Sequence, residues 1–144
     1  MKKEITAHDA LLGGIKTHHE QMDNGEKRYR LTADDGTGYC RTELPTQPVW
    51  QNSHYHEHAQ ELYIVQKGWL LFAELLQGGV QYQKYRVGEY FVTRPFTAHN
   101  LYAGENTVRH TVKFGETAPG DWFPSPELDR ATKELTSAAI EKVL

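Results

Sequence analysis

From Glu61 to Phe114 the chain is a succession of short β-branched and aromatic segments, each closed by a turn residue, which leaves little room for helices. Glu61 to Val65 is strand-like and ends at Gly68. Trp69 to Leu76 is an apolar run stopped by Gly78-Gly79, and Val80 to Tyr85 resumes beyond it, the pattern of a hairpin. Val87-Gly88 turns the chain again. Tyr90 to Thr93 is β-branched and aromatic and halts before Pro95, which cannot donate to a ladder. Leu101-Tyr102 and Val108 to Phe114 supply two more strands around Gly104-Glu105-Asn106. Many short strands at this spacing predict an all-β sandwich or small barrel.

Both ends differ from this middle. Ser125-Pro126 is an N-cap followed by proline in the first helical turn, and Leu128, Ala131, Thr132, Leu135, Ala139 and Val143 then recur at helical spacing. One amphipathic helix over 126–143 is expected, its stripe covering the barrel flank or a second subunit. In the N-terminal stretch 1–40, Lys27 to Leu31 alternates as an outer strand does, and Asp34 to Gly38 is a turn. The 144 residues suit a single domain. With 16 basic and 19 acidic residues spread along the chain, nucleic acid is not an expected partner. No segment approaches the roughly 20 apolar residues needed to span a bilayer, and Glu4, His8 and Asp9 interrupt any signal-peptide core. Cys40 is the only cysteine, so no intrachain disulfide can form, and a cytoplasmic protein is expected.

The candidate chemistry lies in Ser53-His54-Tyr55-His56-Glu57-His58-Ala59-Gln60-Glu61, with His99 further on in Pro95-Phe96-Thr97-Ala98-His99-Asn100. Imidazole nitrogen with carboxylate oxygen is a donor set for divalent transition metals. Two registers compete: His54 and His56 with Glu61, or His56 and His58 with Glu61. On a straight strand Glu61 points away from the histidines, so it joins them only beyond a turn or bulge. Glu57 to Gln60 is long enough for a tight reversal that returns the chain alongside itself, which favours the first register and leaves His58 in the turn.

At this point the residues resemble a known family. His54-Tyr55-His56, four residues, Glu61, six residues and Gly68 is similar to the first motif of the cupin superfamily. Gly88, Pro95, His99 and Asn100 resemble the second. Pro48 stands where the first motif usually has glycine, and the spacing from Pro95 to His99 is one residue short. The resemblance covers residues 48–115 and implies a double-stranded β-helix, a jelly-roll barrel. It also implies one divalent metal (iron, manganese, nickel, cobalt or zinc) held by His54, His56, Glu61 and His99, and pairing into a homodimer, which removes exposed sheet edges.

Cupins with this ligand set include isomerases, lyases, decarboxylases and dioxygenases as well as non-catalytic binders, and the fold does not choose among them. The favoured expectation is isomerisation, epimerisation or elimination on a polar small molecule, sugar-like or carboxylate-bearing. An iron-dependent dioxygenase and a binding module are the alternatives. If Glu61 faces inward, Tyr63 and Val65 do too, and the Tyr63 phenol becomes a candidate acid or base beside the metal. His110, sharing a strand face with Val108 and Val112, is a second candidate for moving protons. Trp50, Gln51 and Tyr102 flank the motifs as candidate substrate contacts, and Arg94 and Lys113 as partners for a carboxylate or phosphate.

Overall fold

The computed structural model describes residues 1–45 and 47–143. Among them the chain runs α1 (Ala7–Leu12), β1 (Ile15–Gln21), β2 (Lys27–Ala33), β3 (Gly38–Glu43), β4 (His54–Tyr55), β5 (Ala59–Lys67) and β6 (Trp69–Leu76). It continues through β7 (Gly79–Arg86), β8 (Tyr90–Val92), β9 (His99–Ala103), β10 (Val108–Gly115), β11 (Phe123–Pro124), α2 (Pro126–Lys133) and α3 (Ser137–Val143). The strands form two antiparallel sheets, a six-stranded one ordered β1-β2-β3-β10-β5-β8 and a five-stranded one ordered β11-β4-β9-β6-β7. From β4 onward the chain alternates between the sheets, interrupted only by the β6–β7 hairpin. The result is a jelly roll with helices at its C-terminal end.

Strand alternation builds the core. Tyr63, Val65 and Phe91 from the six-stranded sheet meet Leu70, Phe72, Leu101 and Ala103 from the other. The apolar run of β6 is explained by burial on both faces: Leu70 and Phe72 face the inter-sheet core, while Leu71 packs outward with Tyr102 and Ile140. Gly68 joins β5 to β6 at φ +79, where a side chain would also collide with the buried Thr107, so glycine is required there.

The C-terminal segment covers the outer flank of the five-stranded sheet. Ser125 caps α2 by accepting from Leu128 N, and Asn100 Nδ2 donates to Thr132 Oγ1 at 3.1 Å. The single helix expected over 126–143 is two helices. The Ala139 amide donates to Thr136 Oγ1 at 3.1 Å, which starts a new first turn after α2 has ended at Lys133. The break lets Leu128 and Ile140, both essentially inaccessible, cover the same flank from different directions. The N-terminal stretch is also more than an extension. β1, β2 and β3 continue the six-stranded sheet, with β3 paired directly to β10. No helix among the described residues is long and apolar enough to cross a membrane.

Because Leu128 is completely buried against this flank, Leu128→Ala is expected to destabilise the fold by about 3 kcal/mol. Urea denaturation checks this, and a change within about 0.5 kcal/mol would show that the helices contribute little to the core.

Candidate metal centre

Two sheets and one corner bring the donors together. His54 on β4 is directly across from His99 on β9. Glu61 reaches in from β5 in the opposite sheet, with its amide held by Thr93 Oγ1 at 2.9 Å. His56 occupies the corner between β4 and β5. Glu61 Oε1 lies 2.8 Å from His56 Nε2, 4.0 Å from His54 Nε2 and 3.8 Å from His99 Nε2. One donor atom from each of the four residues falls within a 4.8 Å cluster. Ligands of an octahedral ion with bonds of about 2.1 Å stand about 3 to 4.2 Å apart, so the cluster needs only a small contraction to close on a metal.

The orientation of each ring has a backbone cause. His54 Nδ1 donates to the Asn52 carbonyl at 2.9 Å, His56 Nδ1 to the Asp121 carbonyl, and His99 Nδ1 to the Thr97 carbonyl at 3.4 Å. A carbonyl can only accept, so every Nδ1 carries the proton and every Nε2 is directed at the cluster, the arrangement that metal-bound histidines adopt. His99 Nε2 is buried and has no hydrogen-bond partner among the described residues. An orphaned acceptor aimed at three other donors fits a metal ligand and has no other evident purpose.

Electrostatics agree with the geometry. Burial, reinforced by the neighbouring His54 imidazole, lowers His99 to a pKa of about 4, so it is neutral at pH 7. Burial opposes the charge of Glu61, yet the surrounding imidazoles hold it well below the usual carboxylate range. For His56, burial alone would lower the pKa, but hydrogen bonds to Glu61 and to the Asp121 carbonyl outweigh it and raise it. The charged form of His56 is thus favoured by its contacts with Glu61 and the Asp121 carbonyl.

The corner itself depends on Asp121. Its carboxylate accepts the amides of Glu57 at 2.6 Å, His58 at 3.1 Å and Ala59 at 2.9 Å. Burial works against its charge, but those amides hold its pKa down at about 2. The expected tight reversal over Glu57 to Gln60 is a crossing instead. The chain passes from one sheet to the other and does not return alongside itself, because β4 pairs with β9 and β11 while β5 pairs with β10 and β8. His58 lies in this corner, more than half exposed and 3.6 Å from Glu116, away from the cluster.

A cavity of about 590 Å³ is bordered by His54, His56 and Glu61, and Gln51, Tyr63, Arg109, Thr111, Lys113 and Trp122 are part of its wall. Tyr63 Oη is 3.3 Å from Glu61 Oε2, and burial first, then Glu61, push the phenol well above its ordinary pKa. His110 is not in this wall. It shares the opposite face of β10, where it bonds Tyr39 Oη and Gln66 Oε1, each at 2.6 Å. Residues 110 and 113 differ by an odd number, so one unbulged strand cannot place both in the cavity, and Lys113 is the one inside. Tyr102 belongs to the flank cluster under α3, with its hydroxyl 3.2 Å from Ser137 Oγ. Trp50 packs against Tyr102 and Tyr82. Arg94 is largely exposed and 3.5 Å from Glu74. Sequence reasoning passed over Asp121, Arg109 and Trp122, whose indole stacks on His54 at 5.3 Å between ring centres. Only Arg109 left a trace, as the neighbour of His110 on the alternate face.

No family model matches the sequence, and no curated protein matches it. Solved structures do match. KdgF from Halomonas sp. is similar with a TM-score of 0.57 at 16% identity, over 71% of this chain and 88% of that one. Oxalate decarboxylase from Bacillus subtilis is similar with a TM-score of 0.60 at 15% identity, over 89% of this chain and 37% of that one. The formate complex of the Lactobacillus farciminis oxalate decarboxylase gives 0.59 at 14%, over 88% and 38%. The chain thus spans a little over a third of the length of the decarboxylases. Two antiparallel β-sheets, with a His/Glu group between them that could hold a metal, define a jelly roll. The chain has the cupin fold.

Two expectations follow. Asp121→Ala leaves three corner amides without their shared acceptor and should cost on the order of 3 kcal/mol. It should also lower metal uptake in equilibrium dialysis, and wild-type uptake by this variant would show the corner to be held by other contacts. In the metal-free protein, folded His99 stays neutral down to about pH 4, whereas the unfolded imidazole takes a proton near 6.5. The unfolded state therefore binds more protons between these values, and stability should fall as pH falls from 6.5 to 4, by up to about 3 kcal/mol from this residue. His56 has the opposite sign, but its contribution is complete below 6.5 and is constant across the window. Urea midpoints across that range test this, and a flat profile would contradict the neutral buried His99.

Proposed function

We propose that this cupin binds one divalent transition metal through His54, His56, Glu61 and His99 and acts on a small carboxylate- or sugar-like molecule in the adjoining cavity. The orphaned, buried Nε2 of His99, aimed at the other donors, is the observation that carries the reading. A bound ion of this kind supplies Lewis acidity at a carbonyl or carboxylate oxygen of the substrate. The Mn(II) centres named for the Bacillus oxalate decarboxylase support manganese among the candidates. The formate named for the Lactobacillus enzyme supports a carboxylate as the kind of group such a cavity accepts.

Around that centre the chain's own residues divide the work. Tyr63, kept protonated by burial, holds a proton at Oη beside Glu61 and is suited to donate it rather than to abstract one. Trp122 covers one face of His54 and narrows the cavity mouth. Lys113, across the β10–β5 ladder from Glu61, adds positive charge to the wall. A protonated donor beside a Lewis-acid position would supply the proton-return step of isomerisation or epimerisation, or protonation of the leaving group in elimination, next to a carbonyl or carboxylate.

Elemental analysis of the protein purified without chelator, alongside His56→Ala, tests the proposal. Close to one equivalent of metal is expected in the wild type. Near-complete loss of both metal and turnover is expected in the variant. Turnover retained without metal would refute the mechanism, and iron with substrate-dependent oxygen uptake would redirect it to dioxygenation.

A further inference from the structure

Arg109 is the buried cation on the cavity wall, and the fold gives it no counter-ion among the described residues. It sits on β10 at 5% exposure, and neither Nε nor Nη1 has a hydrogen-bond partner among the described residues. A guanidinium stays charged at any physiological pH, so it cannot relieve burial by losing its proton. The positions directly across the sheet are Thr42 on β3 and Val65 on β5, neither of which carries a countercharge. Two other cations on the same wall are provided for: Arg28 Nε lies 2.7 Å from Glu26 Oε1, and Arg30 pairs with Glu20, while Lys113, which has no ion pair among the described residues, is only half-buried. Of the three carboxylates lining the cavity, Asp121 is engaged by corner amides and Glu61 by imidazoles, and Asp34 forms no ion pair with Arg109.

The guanidinium lies over the ring of Tyr63, with Cζ 5.5 Å from the ring centre. The contact leaves Nε and Nη1 without an acceptor, both shut off from solvent, while the residue borders the cavity. Because the Tyr63 hydroxyl in turn meets Glu61, a single aromatic ring separates these donors from the metal ligands. Two N–H groups in a rigid fork match the oxygens of a carboxylate or phosphate, and a neutral polyol would leave the charge unanswered.

We propose that Arg109 anchors an oxyanion, carboxylate or phosphate, at one end of a small substrate whose other end reaches the His54, His56, Glu61 and His99 group. This rests on the metal-centre reading and adds to it the charge class of the substrate. Thr111 and Lys113, on the same face of β10, line the path between the two ends.

Isothermal titration of the protein as purified tests it, using malonate and, separately, inorganic phosphate, with malonamide as the uncharged control and metal content read on the same samples. At least one anion should bind the wild type, and malonamide should not. Which anion binds tells carboxylate from phosphate. Arg109→Gln should weaken that binding at least about tenfold, Arg109→Lys should recover part of it, and metal content should be equal in all three. Arg109→Gln should also melt no lower than the wild type, because the substitution removes an unpaired buried charge. The proposal fails if neither anion binds the wild type, if Arg109→Gln binds as the wild type does, or if that variant melts far lower. A sample that binds an anion through Arg109 but takes up no metal sinks the metal reading and leaves this one standing.

Discussion

The carboxylate of Asp121, holding the amides of residues 57 to 59, is the interaction on which the site depends. A chain that leaves one sheet and enters the other within three residues must point several amides the same way, and they need a common acceptor. Asp121 supplies it from more than sixty residues away, while its carbonyl orients His56. The same segment then runs on as β11, which pairs with β4 and so carries His54. Ser125 N donates to Ser53 O at 2.9 Å, and Ser53 N donates to Asp129 Oδ1 at 2.8 Å, which extends the splint into α2. One stretch of backbone thus positions two of the four donors.

The remaining two donors come from rigid strands. His99 and Glu61 lie on strands of opposite sheets whose inner faces also carry Leu101 and Phe72 on one side, Tyr63 and Val65 on the other. The cluster is therefore continuous with the hydrophobic core. Its imidazoles are largely buried, and their rings cannot turn without breaking bonds to backbone carbonyls. Preorganisation of this kind lets a site bind a metal without rearranging.

Much of this was legible beforehand, for physical reasons that differ from element to element. Trp69 to Leu76 is apolar except for Glu74 and is bracketed by Gly68 and Gly78, so its bounds as β6 could be read directly. His54 and His56 share a strand side by parity, and Glu61 follows at a distance that demands a corner. The inward face of β10 was not legible, because Val108, His110 and Val112 look no less suited to a core than Arg109, Thr111 and Lys113. The face with Val108, Val112 and Phe114 is the more apolar, so alternation points it inward, and only the polar cavity reverses that choice. The break at Thr136 was hidden for a related reason: the apolar residues keep helical spacing across it, and only packing against a curved flank favours a second start.

Local patterning by itself determined the strand-and-turn rhythm, an all-β sandwich or small barrel, and imidazoles with a carboxylate as a donor set, since these depend on periods of two, on turn residues and on short spacings, while the jelly-roll class came with the motif resemblance. Tertiary structure alone decided which face of each strand became cavity, that residues 15–43 complete the wall, and that an aspartate near the far end supports the corner. Those outcomes depend on contacts between segments distant in the chain, and no short-range regularity encodes such contacts.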